Sequence, residues 1–153
     1  MDLLKNLNAE EQQQLTDAIA YITVLVAGAD GNIDPKEIAA AEKVTQIRSF
    51  SYLEELRPYY EQVGKGYTQK LNELIENLPA EVAERQQAIS GELSKLNAIL
   101  DKLDLHLGHV LYESFVSFAN HVAKASGGFL GTFAIGNEEK KVVDLPMLDP
   151  IIE

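Results

Sequence analysis

An apolar stripe, Leu15, Ile19, Ile22 and Val26, recurs at one constant offset as Leu111, Phe115, Phe118 and Val122. In both places the spacing is 4, 3, 4, which lines one face of an α-helix and cannot line a strand, whose faces alternate every second residue. Ala123, Ala125 and Gly127 then fall on the equivalents of Ala27, Ala29 and Gly31. Strand-type alternation is absent elsewhere in the chain. The expected architecture is therefore all-α: a compact single-domain helical bundle of about six to seven helices, covering residues 1–153 and built from a degenerate two-copy repeat. The first unit is expected at about residues 8–64 and the second at about 104–153, joined by a helical hairpin at about 68–104.

Local signals mark the helix ends. Asn8 followed by Glu11 is a capping-box pattern, so a helix is expected from about Ala9 to Ala27, broken afterwards by Gly28 and Gly31. Asp34 as N-cap, Pro35 at the first helical position and Glu37 two residues later start a second helix that should reach about Arg48. From Phe50 to Gly66, Pro58 and two glycines interrupt the pattern, which predicts a short helix and a turn packed by Tyr52, Tyr59, Tyr60 and Tyr67, then another short helix over about 68–77. Pro79 should open a long helix whose seam is Val82, Ile89, Leu93, Leu96, Leu100, Leu103 and Leu107, with Gly108 as a joint.

Composition removes several function classes. The net charge is −11 and no cluster of Lys or Arg interrupts it, so the electrostatic footprint of nucleic-acid binding is missing. With no cysteine, thiolate metal sites and cysteine nucleophiles are excluded. The most apolar window, Ala18 to Ala29, is about twelve residues, short of the ~20 that span a bilayer. The N-terminal residues lack a basic leader, so a cytoplasmic location without a membrane span is expected.

The chemistry concentrates in residues 26–37, Val-Ala-Gly-Ala-Asp-Gly-Asn-Ile-Asp-Pro-Lys-Glu. Asp30, Asp34 and Glu37 offer three carboxylates within one turn and helix start, the donor type that holds Ca²⁺ or Mg²⁺. The competing reading is structural: Asp34 and Glu37 cap a helix, and Asp30 fixes a turn before glycine. Asp30 to Glu37 also fits positions 5 to 12 of an EF-hand loop, but positions 1 and 3 would be Val26 and Gly28, which bring no carboxylate, so that coordination sphere does not assemble.

A hydrophobic helix ending in Ala-Asp-Gly-x-Ile-Asp-x-x-Glu at 29–37, followed much later by Ala-x-Ala-Ser-Gly-Gly at 123–128 and a Glu-Glu-Lys helix start at 138–140, resembles the TerB-like family of tellurite-resistance proteins. Residues 19–44 carry most of the resemblance and residues 116–143 less. It implies a helical bundle of a duplicated unit, acidic corners that hold divalent metal, and a role in the tellurite or general stress response. Asp30, Asp34 and Glu37 match the first acidic motif. Ser126 stands where the second motif has its aspartate, and Glu138 and Glu139 only loosely restore the acidic start.

Other chemistries find little in the sequence. His106, His109 and Glu113 share a helix face, a weak transition-metal pattern without the Glu-x-x-His of di-iron bundles, and His121 takes the place of Leu25 in the repeat. None of the serines lies in a Gly-x-Ser-x-Gly elbow, and the glycine-rich stretch 127–136 has no P-loop lysine. Its Phe129, Leu130 and Phe133 either cover the core or, if exposed, dock a protein partner. The expected function is non-enzymatic: a TerB-like stress protein whose acidic surface binds a divalent cation or a protein partner. The alternative is a metal-free helical interaction module.

Overall fold

The computed structural model describes residues 4–29, 31–33, 35–49, 51–125 and 140–153. Helix α1 (Ala9–Ala27) opens on the expected capping box: the Glu11 amide donates to Asn8 Oδ1 at 2.8 Å, and the Asn8 amide donates to Glu11 Oε1 at 3.0 Å. The helix stops at Gly28, whose amide still donates to the Val24 carbonyl at 3.0 Å. Its first half is amphipathic. From Ala18 onward nearly every residue is buried, so α1 is the central rod, a position reserved for a helix apolar on all sides.

Around it stand α2 (Pro35–Arg48), a 3-10 turn (Glu54–Leu56), α3 (Arg57–Asn77), α4 (Val82–Ser94), α5 (Leu96–Leu100) and α6 (Leu105–Ala125). Helix α1 packs against α2, α3, α4, α5 and α6, while α2 lies on α3 and α6. No strand occurs among the described residues. The two matched stripes, Leu15, Ile19, Ile22, Val26 and Leu111, Phe115, Phe118, Val122, are all fully buried.

Several boundaries differ from the sequence expectation. Residues 57–77 form one helix rather than a turn and a short helix, because Tyr59, Tyr60, Val63, Tyr67, Leu71 and Leu74 make one buried face that carries the chain through Gly64 and Gly66. The long helix expected after Pro79 is instead divided. It begins at Val82 beneath Glu81, whose carboxylate accepts from the Ala83 and Glu84 amides; it breaks at Lys95, and again at 101–104. Asp104 then starts α6, its Oδ1 accepting from the Leu107 amide at 3.1 Å. Gly108 is no joint but lies in the first turn of α6, where an added Cβ would sit 3.4 Å from the Leu100 carbonyl and 3.6 Å from Ile151 Cδ1.

Residues 140–153 run as turns and irregular backbone, yet Val142, Val143, Leu145 and Leu148 are buried. Leu145 has φ of 50°, a left-handed conformation that costs a non-glycine residue about 1 kcal/mol and is held by its complete burial. Asn97 fixes the same segment from both sides: its amide donates to the Met147 carbonyl at 3.0 Å, and its carbonyl accepts from the Asp149 amide at 2.8 Å.

Candidate functional site at the acidic corner

The corner between α1 and α2 requires glycine. Gly31 has φ of 100°, which side chains disfavour, and its amide donates to the Gly28 carbonyl at 3.1 Å. The first turn of α4 closes over it. Arg85, only 6% exposed, donates from Nη2 to the Gly28 carbonyl at 2.7 Å and from Nη1 to the Ala80 carbonyl at 3.3 Å. A Cβ on Gly28 would fall 2.7 Å from that guanidinium nitrogen. A permanent cation therefore sits on the C-terminal end of α1, where the helix dipole favours it.

Glu37 occupies the other side of the corner, in the first turn of α2. It is 1% exposed and both carboxylate oxygens are sealed from solvent. A surface cap would leave this carboxylate in water. In the first turn of α2 it lies at the amide end of the helix, where the dipole favours an anion. Asp30, Asp34, Glu138 and Glu139 lie outside the described residues, as do Phe129, Leu130 and Phe133.

The buried face of α2 is Glu37, Ala41, Thr45 and Arg48, spaced 4, 4, 3 and polar at three of its positions. At its far end Arg48 donates from Nη1 to Tyr60 Oη at 2.8 Å and to the Ser114 carbonyl at 3.0 Å, and from Nη2 to Ser117 Oγ at 3.0 Å. Its guanidinium carbon lies 4.3 Å from the Tyr52 ring centre and 5.2 Å from that of Tyr60. Neither Arg48 nor Arg85 was singled out in the sequence. Both occupy buried positions of their helices, Arg85 in step with Ile89 and Leu93, and that register is the signal that could have found them.

The histidines are engaged separately. His106 Nδ1 pairs with Glu153, and its Nε2 with Glu55 Oε2 at 2.9 Å; His109 Nδ1 meets the Ile151 carbonyl at 2.6 Å. Glu113 is exposed, and among the described residues no group of three His, Cys, Asp or Glu side chains is placed to hold a metal ion. His121 is exposed, and partial desolvation followed by the charge of Arg48 pushes its pKa down.

Two open hollows of about 440 and 340 Å³ flank α3, against α1 and α2 respectively. Their walls are glutamines, threonines and mixed charges, with no histidine among the lining residues. No helix among the described residues is long and apolar enough to cross a membrane. The chain matches no family model, no curated protein and no solved structure.

Proposed function

We propose that the protein is a non-enzymatic binding module of the TerB-like, stress-response type, built from a duplicated helical unit and acting in the cytoplasm. Its corner at residues 30–37 takes up a divalent cation of the Ca²⁺ or Mg²⁺ type. In this reading Asp30, Asp34 and Glu37 supply oxygen donors, with Glu138 and Glu139 approaching from the second half of the chain. The place of Glu37 carries the reading, since its carboxylate lies in the first turn of α2, the helix start at which Asp30 and Asp34 also stand in the sequence, and oxygen donors of this kind are what a hard cation takes.

Arg85 favours the second reading, a metal-free interaction module that contacts a protein partner, for instance through Phe129, Leu130 and Phe133. Its guanidinium already places a fixed positive charge on the same turn. Thermal unfolding after chelation separates the two. At free Ca²⁺, Mg²⁺ or Mn²⁺ about a hundredfold above its dissociation constant, the melting temperature of the native sequence should rise by about 5–10 °C. Glu37→Gln and Asp30→Asn should abolish that rise. An unchanged melting temperature with every cation would sink the metal site and leave the interaction module.

A further inference from the structure

His106 stands at the start of α6 with a carboxylate on each ring nitrogen: Glu55 from the 3-10 turn at Nε2, and Glu153 from the segment 140–153 at Nδ1. An imidazole engaged by acceptors on both sides is an imidazolium, because only the protonated ring donates from both nitrogens. Three chain segments far apart in sequence are thus tied through one proton. Beside the tie lies a hollow of about 420 Å³ lined by Lys5, Asn6, Glu55, Leu103, Asp104, His106 and Leu107. The charged groups around the ring are therefore Glu55, Glu153, Asp104 and Lys5, with His109 one turn along α6. Three of these are carboxylates.

We infer that His106 is a pH-operated latch that fastens residues 150–153 to the start of α6 and to the 3-10 turn, and that loss of its proton frees these residues. The rest of the segment stays in place. Asn97, together with the buried Val142, Val143, Leu145 and Leu148, holds it without any titrating group. Only the last residues depend on His106 and, through the Ile151 carbonyl, on His109.

The direction of the dependence follows from the partners. The bonds to Glu153 and then to Glu55 raise the His106 pKa above its ordinary value of about 6.5. A group whose folded pKa is raised contributes in full below its unfolded pKa and loses that contribution as pH rises through the folded one. The latch is therefore closed in mildly acid solution and opens as the elevated midpoint is passed.

Two readouts on the full chain test this. The His106 ring resonance should titrate above its ordinary midpoint, and Glu153→Gln should move it back toward that value. The ratio of fastened to free residues 151–153, read from their backbone chemical shifts and 15N relaxation at each pH, should fall about two- to fivefold across the same midpoint, the size of an exposed ion-pair effect. His106→Gln, an exposed substitution that leaves the core intact, should give the low ratio at every pH. His109→Gln should keep the step. A normal His106 midpoint would overturn the latch, as would a ratio that does not change with pH. So would a step that survives His106→Gln and vanishes with His109→Gln.

Discussion

Arg48 is 3% exposed, and among the described residues its guanidinium touches hydroxyls, a carbonyl and aromatic faces rather than a carboxylate. The fork geometry matters here: Nη1 bridges α3 and α6 while Nη2 takes a second residue of α6, which the single ammonium of lysine cannot reproduce. Arg48→Ala should cost about 3 kcal/mol, because it leaves the Ser114 carbonyl and the Tyr60 hydroxyl short of a donor as well as opening a void. Arg48→Met, which refills the volume, should cost less than half as much. Urea unfolding midpoints measure both, and an alanine variant as stable as the native chain would show that the network is dispensable. Gly31→Ala should lose about 1 kcal/mol or more from its backbone conformation alone.

Among the helices, the buried faces differ in kind. Helices α1 and α6 bury apolar stripes, whereas α2 is anchored by Glu37 at one end, Arg48 at the other, and Ala41 and Thr45 between them. Hydrophobic burial stabilises in proportion to apolar area, so α2 should be the first long helix to open. Its amides should therefore exchange faster than those of α1 and α6 in native-state hydrogen exchange; equal protection across the three would contradict this. Helix α3 offers the opposite test. A Cβ on Gly64 or Gly66 would meet nothing within 4 Å, so Gly64→Ala and Gly66→Ala should each stabilise the fold by about 0.5–1 kcal/mol, read as a raised melting temperature.

These same glycines mark where the sequence could be read and where it could not. The capping box of Asn8 and Glu11 is a short-range code and was legible to the residue, as was Pro35 at the head of α2. Gly64 and Gly66 carry a local penalty that outweighed a buried face visible only over five turns, so α3 was read as two pieces. The 4-3 seam after Pro79 marked Ile89, Leu93, Leu96, Leu100, Leu103 and Leu107 as inward, while Val82 is only half-buried; a seam does not require a continuous helix, and the breaks at Lys95 and 101–104 passed unseen. At the corner, the sequence marked Glu37 as an acidic residue in the first turn of α2. The burial of Glu37 and the arrival of Arg85 were not legible, the second because it depends on α4 closing over a turn some fifty residues earlier in the chain.

For the molecule as a whole, the interior tyrosines tie alkaline stability to burial. Tyr59 and Tyr60 meet edge to face at 5.0 Å, Tyr59 donates to the Leu15 carbonyl at 2.6 Å, and Tyr67 shares a hydrogen bond of 2.8 Å with Thr23. Desolvation raises the pKa of all three above the ordinary 10. Their neutral forms favour the fold fully below that value, and the contribution fades as pH climbs toward the raised midpoints. Ionisation of these tyrosines, followed by ultraviolet absorbance, should therefore appear together with the loss of helical dichroism. Tyrosinate absorbance beyond that of the three half-buried rings, Tyr21, Tyr52 and Tyr112, in a chain still fully helical would show that these rings are open to solvent.

The formal charge of −11 is not the charge the surroundings meet. Arg48 and Arg85 are withdrawn into the interior, with Glu37 the only acid as deeply placed among the described residues, so the outer surface is more anionic than the composition states. Copies in dilute buffer repel one another, and retention on an anion-exchange resin should exceed that of a protein of equal formal charge with its arginines outside. Raising ionic strength shortens the Debye length to about 8 Å at 0.15 M. Any self-association of this molecule should accordingly be promoted by salt, and a basic partner should be drawn to it fastest when salt is low.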